Sequence, residues 1–257
     1  MITPCQANEN KVIQGLWIGS ELSVMERLSI ESFLSNGHEY HLYLYDDVRN
    51  VPGGANVKDA GEILPASMIF QYENQKSFSA FSNFFRYKLL LERGGWWADS
   101  DMVCLKPFNF SDEYVFSSET ANGKEFINCG VIKAPLGSPA MAYAWDICRT
   151  KNPETLVWGE VGPRLMSESI KRFSLEGFVM PSRIFCPFGY QEWGDALNPD
   201  KVWDLANDAC AIHLWNEMWR RNGQDKDQPY HSDCLYERLK LKYLGSRRRR
   251  LDSSSDA

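Results

Sequence analysis

The sequence predicts an α/β fold with a mostly parallel central sheet in a single large domain. Its 257 residues are 44% hydrophobic and 24% charged, which is ordinary for a globular protein and excludes a disordered, collagen-like or coiled-coil chain. No segment of 20–50 residues repeats. The first three predicted elements are a strand, a helix and a strand, the succession that is typical of a parallel sheet.

The opening elements are indicated by their apolar patterns. Residues Val12 to Ile18 are mostly apolar, which predicts a buried strand. A helical pattern begins at Val24 and ends at Asn36-Gly37, where a glycine can adopt the left-handed conformation that terminates helices. Residues Tyr40 to Tyr45 predict a second strand, which ends before the turn-forming segment Pro52-Gly53-Gly54.

The strongest helical pattern runs from Gln75 to Arg93 and is stopped by two glycines. One face carries large apolar side chains, and another carries Ser79, Asn83 and Arg86 at helical spacing. A short strand, Trp96 to Ala98, comes after the helix. It leads directly into Asp99-Ser-Asp101, and the carboxyl ends of strands are where open α/β sheets bind their ligands.

The remaining elements are predicted from shorter patterns. We expect two strands at residues 114–117 and 127–133, and two helices at residues 139–149 and 162–173. A further strand is expected at residues 209–214 and a last helix at residues 234–244. The domain is predicted to span residues 1–245, and residues 246–257 are predicted to be a basic, serine-rich tail.

Charge and cysteine content narrow the class of protein. The net charge is −6 and the last twenty residues are basic, so the body of the protein is strongly acidic and is not expected to bind nucleic acid over a broad surface. Seven cysteines are spread singly without a Cys-x-x-Cys motif, which favours reduced thiols in a cytoplasmic protein. No apolar run is long enough to span a bilayer, and the N-terminus lacks the pattern of a signal peptide.

Asp99 and Asp101 are candidate ligands of a divalent cation. Two carboxylates at the exit of an apolar strand suit Mn²⁺ or Mg²⁺, which keep several waters and take further ligands from substrate phosphates. By itself an Asp-x-Asp pair is a weak signal, since a solvated turn after a strand has the same sequence.

The segment around this pair carries a more specific pattern. Residues Phe78 to Asp101, together with Cys104-Leu-Lys-Pro107, resemble the DXD-containing sugar transferases, which are retaining glycosyltransferases that include capsular-polysaccharide enzymes and α-1,4-galactosyltransferases. The chain departs from their shared pattern twice: Asn83 stands where the family usually has Asp, and Trp97 where it usually has Tyr. The resemblance extends to residues 13–19, 127–130, 162–163 and 213–216.

The resemblance implies a single GT-A type domain that binds a nucleotide-diphosphate sugar, with a UDP-sugar expected rather than a GDP-sugar. It implies that Asp101 coordinates Mn²⁺ or Mg²⁺ and that Asp99 contacts the ribose or the shell of the metal. Trp17 is expected to stack on the nucleotide base. A hexose would pass to a glycan, a lipid-linked acceptor or another hydroxyl with retention of configuration.

Four further residues take donor-site roles from the same resemblance. Asn83 and Arg86 are expected to hold hydroxyls of the donor sugar, Trp97 to shape the donor pocket, and Asn128 to lie near the anomeric carbon. From the residues alone, Arg86 could instead pair with a neighbouring acid, and Trp17 could be a core residue.

His213 and Arg220 resemble the late metal ligand and the subsequent basic residue of related metal-dependent transferases. A neutral imidazole is a good Mn²⁺ ligand, and a guanidinium can bind phosphate oxygens in a bidentate manner. We therefore predict His213 as a third ligand and Arg220 as a contact to the diphosphate. The alternative is that His213 is a core histidine at the end of a strand.

Other functions remain open at this level. Asp99-Ser-Asp101 also fits the nucleophile motif of haloacid-dehalogenase-like phosphatases, although that motif normally opens its fold and here nearly 100 residues precede it. A non-catalytic sugar-binding module is a second alternative. The run Arg247–Arg250 is predicted to be a solvated tail, or else a peripheral contact to an anionic membrane.

Overall fold

The computed structural model describes residues 11–245, so the predicted tail with Arg247–Arg250 lies outside the described residues. Eight strands are present among them: β1 Val12–Leu16, β2 Glu39–Leu44, β3 Ala55–Asp59, β4 Gly95–Ala98, β5 Met102–Cys104, β6 Val115–Ala121, β7 Lys124–Ala134 and β8 Ala211–His213. Six of these form one sheet in the order β3-β2-β1-β4-β7-β6, and β5 pairs with β8 in a separate two-stranded sheet.

The central sheet is mostly parallel, which confirms the predicted fold class. Strands β3, β2, β1 and β4 run parallel to their neighbours, whereas β7 is antiparallel to both β4 and β6. The last pair is antiparallel because only Asn122-Gly123 connects β6 to β7, both with positive φ, and a two-residue loop of this kind makes a hairpin.

Seven α-helices surround the sheets in the described part of the chain: α1 Val24–Ser35, α2 Ser79–Arg93, α3 Pro139–Cys148, α4 Leu165–Arg172, α5 Ser182–Phe185, α6 Asn216–Arg221 and α7 Leu235–Tyr243. Helix α1 begins at a capping box made by Ser23 and Glu26, and it ends where predicted, with Gly37 in the left-handed region. Shorter turns lie at Ala60–Glu62, Ala66–Met68, Pro153–Thr155, Glu160–Arg164, Glu176–Phe178 and Tyr190–Leu197.

Two hydrophobic cores cover the two faces of the sheet. The neighbouring tryptophans of β4 point to opposite faces, as successive residues of a strand do. Trp96 packs in one core with Phe108, and Trp97 packs in the other with Phe85 of helix α2. Helix α2 therefore lies on the same face of the sheet as Trp97. None of the helices within residues 11–245 is both long and apolar enough to cross a membrane.

Candidate active site

A cavity of about 1040 Å³ opens at the carboxyl ends of β1 and β4. Trp17 is the residue directly after β1, and Asp99 is the residue directly after β4. The wall of this cavity includes every residue to which the sequence analysis gave a site role: Trp17, Asn83, Arg86, Trp97, Asp99, Asp101, Asn128, His213 and Arg220. The structure thus brings residues from five separate parts of the chain to one place.

Asp99, Asp101 and His213 form a cluster that can hold a metal ion. One ligand atom of each lies within 4.8 Å of the others. The short β5–β8 sheet creates this proximity, because Met102 pairs with His213 across the ladder. Asp101 and His213 are 8% and 7% exposed, and Nε2 of His213 lies 3.3 Å from Oδ1 of Asp101.

Asp101 and His213 each shift the pKa of the other. Burial by itself raises the pKa of Asp101, but the charge and hydrogen bond of His213 outweigh burial and lower it. Burial lowers the pKa of His213, yet Asp101 raises it well above 6.5. A proton on His213 thus balances the buried carboxylates. A divalent cation would supply the same compensation, and two carboxylate oxygens with one imidazole nitrogen suit Mn²⁺.

Asp99 is held by two side chains that the resemblance assigned to the donor sugar. Its Oδ1 accepts a hydrogen bond from the Trp97 indole at 2.9 Å and lies 3.0 Å from Nη2 of Arg86. Arg86 also donates to the Cys129 carbonyl and to Ser82. Burial raises the pKa of Asp99, and Arg86 opposes that rise. Arg86 and Trp97 therefore orient this carboxylate. The contact of Arg86 with sugar hydroxyls and the shaping of the donor pocket by Trp97 stay predictions.

Asn83 has a free amide in the cavity wall. The side chain is 8% exposed and makes no hydrogen bond with any residue in the described range 11–245. It packs against Gly162, where an added Cβ would lie 3.0 Å from its Nδ2. The Gly162-Pro163 pair thus leaves room for Asn83, which keeps its hydrogen-bonding groups available for a ligand.

Asn128 is fixed within the β6–β7 hairpin. Its Oδ1 accepts from the Gly130 amide at 2.6 Å, and its Nδ2 donates to Oε1 of Glu119 at 3.4 Å. Glu119 also lines the cavity, and sequence reasoning missed it. Trp215 was missed as well. Its ring stacks on His213 with centroids 3.8 Å apart, and its backbone φ of 58° lies in the left-handed region.

Trp17 and Arg220 already make contacts with other residues of the protein. The Trp17 indole donates to the Glu21 carbonyl at 3.1 Å, and Nζ of Lys226 lies 5.6 Å from its ring centroid. Arg220 pairs with Glu217 at 2.7 Å. A diphosphate would therefore compete with Glu217 for the Arg220 guanidinium, and both predicted roles remain predictions.

Known structures with related architecture are similar to this chain at low sequence identity. The glycosyltransferase PaToxG is 15% identical, with 91% of this chain and 86% of that one covered and a TM-score of 0.47. The galactosyltransferase LgtC, solved with donor and acceptor sugar analogues, is 12% identical, with 91% and 95% covered and a TM-score of 0.49. The glycosyltransferase GlyE of Streptococcus pneumoniae TIGR4 is 11% identical, with 92% and 63% covered and a TM-score of 0.41.

Two family models match segments of the sequence. No curated protein sequence shows significant similarity to the chain. Residues 23–119 match the model of the glycosyltransferase sugar-binding region containing the DXD motif, and residues 151–243 match the α-1,4-glycosyltransferase conserved region. The first segment contains Asp99 and Asp101, and the second contains His213. The predicted resemblance to the DXD-containing glycosyltransferases is thereby confirmed over residues 23–119, with an α-1,4-glycosyltransferase region at residues 151–243.

Proposed function

We propose that the protein transfers a hexose from a UDP-sugar to a hydroxyl of a glycan or lipid-linked acceptor, with Mn²⁺ or Mg²⁺ as cofactor and with retention of configuration. The convergence of Asp99, Asp101 and His213 in a large cavity carries this proposal. Two carboxylates and an imidazole fit a divalent cation, and the cavity is large enough for a nucleotide sugar.

The cation would be held by Asp99, Asp101 and His213. When bound, it neutralises charge on the leaving diphosphate as a Lewis acid. The protein prepares the ligands for this task. The Asn216 amide donates to Oδ2 of Asp101 at 2.7 Å, and Arg86 and Trp97 both hold Oδ1 of Asp99, so each carboxylate has one oxygen fixed by the protein.

The other cavity residues bind and orient the donor in this proposal. Trp17 stacks on the base, Asn83 offers its free amide to a sugar hydroxyl, and Arg220 contacts the diphosphate. Asn128 lies beside the anomeric carbon. There the bond from carbon to the diphosphate oxygen breaks, the acceptor oxygen bonds to the same face of that carbon, and the acceptor's proton passes to the departing diphosphate oxygen.

The experiment measures UDP release from UDP-galactose and UDP-glucose, with and without an acceptor, in Mn²⁺ and after chelation by EDTA. Asp101→Asn should abolish the metal-dependent release because it removes a charged ligand. Asp146→Asn is the matched control, since Asp146 is exposed and lies outside the cavity.

Near wild-type release by Asp101→Asn would contradict the proposal. Hydrolysis of p-nitrophenyl phosphate without any UDP release would instead support the phosphatase alternative.

A further inference from the structure

One part of the cavity wall has no role in the proposed donor site. It consists of Glu119 on β6 and Tyr190, which begins the turn after Gly189. The two segments touch, because a Cβ at Gly189 would overlap the backbone carbonyl of Thr120. Glu119 and Tyr190 are each one residue away from this contact, so they line adjacent parts of the wall.

Glu119 has an unused carboxylate oxygen. Its Oε1 accepts the bond from Asn128, but its Oε2 is shielded from solvent and has no hydrogen-bond partner among the described residues. Burial raises the pKa of this carboxyl, and the charge of His213 and the hydrogen bond from Asn128 oppose that rise only in part. A buried oxygen without a partner costs free energy that a ligand hydroxyl could recover. The terminal torsion of a glutamate is soft, so the carboxyl can turn to meet such a hydroxyl.

Tyr190 provides an accessible aromatic ring beside this carboxylate. The side chain is 37% exposed, and its ring contacts Trp215 at 6.3 Å with planes 72° apart. Such an edge-to-face contact does not cover both faces of the tyrosine ring. An aromatic face next to an acceptor of hydroxyl hydrogen bonds is a suitable surface for a carbohydrate, which has apolar C–H faces and polar edges.

The position of the pair favours the acceptor over the donor sugar. In the proposed function, which this inference assumes, Asn128 lies beside the anomeric carbon, and Glu119 contacts Asn128 directly. Tyr190 is the more exposed of the two, so it lies nearer the solvent from which a second substrate enters. A group that reaches the anomeric carbon from this side passes both residues.

We propose that Glu119 and Tyr190 form the acceptor-binding part of the cavity, where a sugar ring packs on Tyr190 and donates a hydroxyl hydrogen bond to Glu119. Asn128 then has a role toward both substrates. It lies beside the anomeric carbon of the donor, and its amide donates to the carboxylate of Glu119 that binds the acceptor. The subsite selects for a carbohydrate acceptor rather than for a simple alcohol.

The test measures binding of lactose and of the methyl glycosides of galactose, glucose and mannose by saturation-transfer NMR, with UDP and Mn²⁺ present. The variants are Glu119→Gln, Tyr190→Ala and Tyr190→Phe. Glu119→Gln can keep the bond from Asn128 through its amide oxygen while it replaces the free oxygen by a donor. The controls are Glu113→Gln and Tyr143→Ala, an exposed glutamate and a half-buried tyrosine that both lie outside the cavity.

We expect the wild type to bind at least one glycoside and Glu119→Gln to bind it about tenfold more weakly, as for a lost hydrogen bond to a charged group. Tyr190→Ala should also weaken binding, whereas Tyr190→Phe should retain it if stacking dominates. The melting temperature of Glu119→Gln should not fall, because the change removes a buried carboxylate oxygen that has no hydrogen-bond partner among the described residues. If Glu119 only positioned Asn128, Glu119→Gln would instead lower the melting temperature and leave glycoside binding unchanged.

Equal glycoside binding by the wild type, Glu119→Gln and Tyr190→Ala would overturn the inference. A wild type that binds UDP but no glycoside would overturn it too. Failure of the proposed function has a different signature, since the wild type would then bind neither UDP nor GDP in the presence of Mn²⁺, whatever it does with glycosides.

Discussion

The indole of Trp97 should set the affinity of the site for its cation. Trp97 donates to Oδ1 of Asp99 at 2.9 Å, and Trp97→Phe removes this donor. A phenyl ring still lies beneath the Arg86 guanidinium, whose Cζ is 4.9 Å from the indole ring centroid. The change therefore isolates one hydrogen bond to a carboxylate.

The size of the expected loss depends on the charge on Asp99. A hydrogen bond to a charged group contributes about 1.5–3 kcal/mol, which corresponds to about a tenfold to hundredfold change in a binding constant. Because Arg86 continues to hold the same oxygen at 3.0 Å, we expect the lower end, about tenfold weaker Mn²⁺ binding. Free Mn²⁺ measured by electron paramagnetic resonance during a titration gives this constant without any turnover.

Trp96→Phe is the matched control for the packing cost. Trp96 is the preceding residue of the same strand, is equally buried, and points into the other core, away from the cavity. Both variants lose the same side-chain atoms from a core and should lose unfolding free energy. Only Trp97→Phe should weaken Mn²⁺ binding. Equal Mn²⁺ affinities in the two variants would refute the reasoning and return Trp97 to a packing role.

Four further predictions concern other residues of the cavity. His213→Ala should raise the Mn²⁺ concentration needed for half-maximal UDP release, whereas Arg220→Ala should weaken UDP binding with the metal requirement unchanged. An unmoved metal titration with a lower melting temperature would make His213 a core residue. Trp17→Ala should cost about 1–3 kcal/mol of UDP binding if the indole stacks on the base. Calorimetry measures this loss, and a loss explained wholly by unfolding would contradict it. The raised pKa of Glu119 means that its contribution to stability is present below its usual value of 4.5 and is lost as pH rises through the folded value. The melting temperature of Glu119→Gln minus that of the wild type should therefore increase from pH 4 to pH 7. A difference that stays constant over this range would contradict the raised pKa of Glu119.

The parts of the site that the sequence predicts are those that depend on short-range spacing. Asp99 and Asp101 come directly after a four-residue strand, so their place at its carboxyl end needs only the strand to be recognised. Asn83 and Arg86 lie three residues apart on α2, and helical periodicity puts them on one face. The positions of these residues can therefore be predicted from local geometry, without knowledge of any tertiary contact.

Residues that act through tertiary contacts gave no such signal. Glu119 is one acidic residue near the end of a strand, and only the hairpin with β7 brings it to Asn128. Tyr190 reaches the cavity because Gly189 packs on a neighbouring strand. Strand β3 was missed for another reason: it is an exposed edge strand with four of its five residues exposed, so it has no apolar alternation. The antiparallel hairpin did carry a signal in Asn122-Gly123, a strong turn sequence.

The two carboxylates of the motif differ in how the fold fixes them. Asp101 is held by backbone groups: the Leu214 amide donates to its carbonyl at 3.0 Å and the Asn216 amide to its Oδ2. The first bond continues the β5–β8 ladder, and both bonds have a backbone amide as donor, so they do not require a particular side chain at Leu214 or Asn216. Asp99 is oriented instead by the side chains of Arg86 and Trp97. Substitution around the site can therefore adjust Asp99 while Asp101 and His213 stay in place, and Trp97, which stands where the family usually has Tyr, is one of the two side chains through which this can happen.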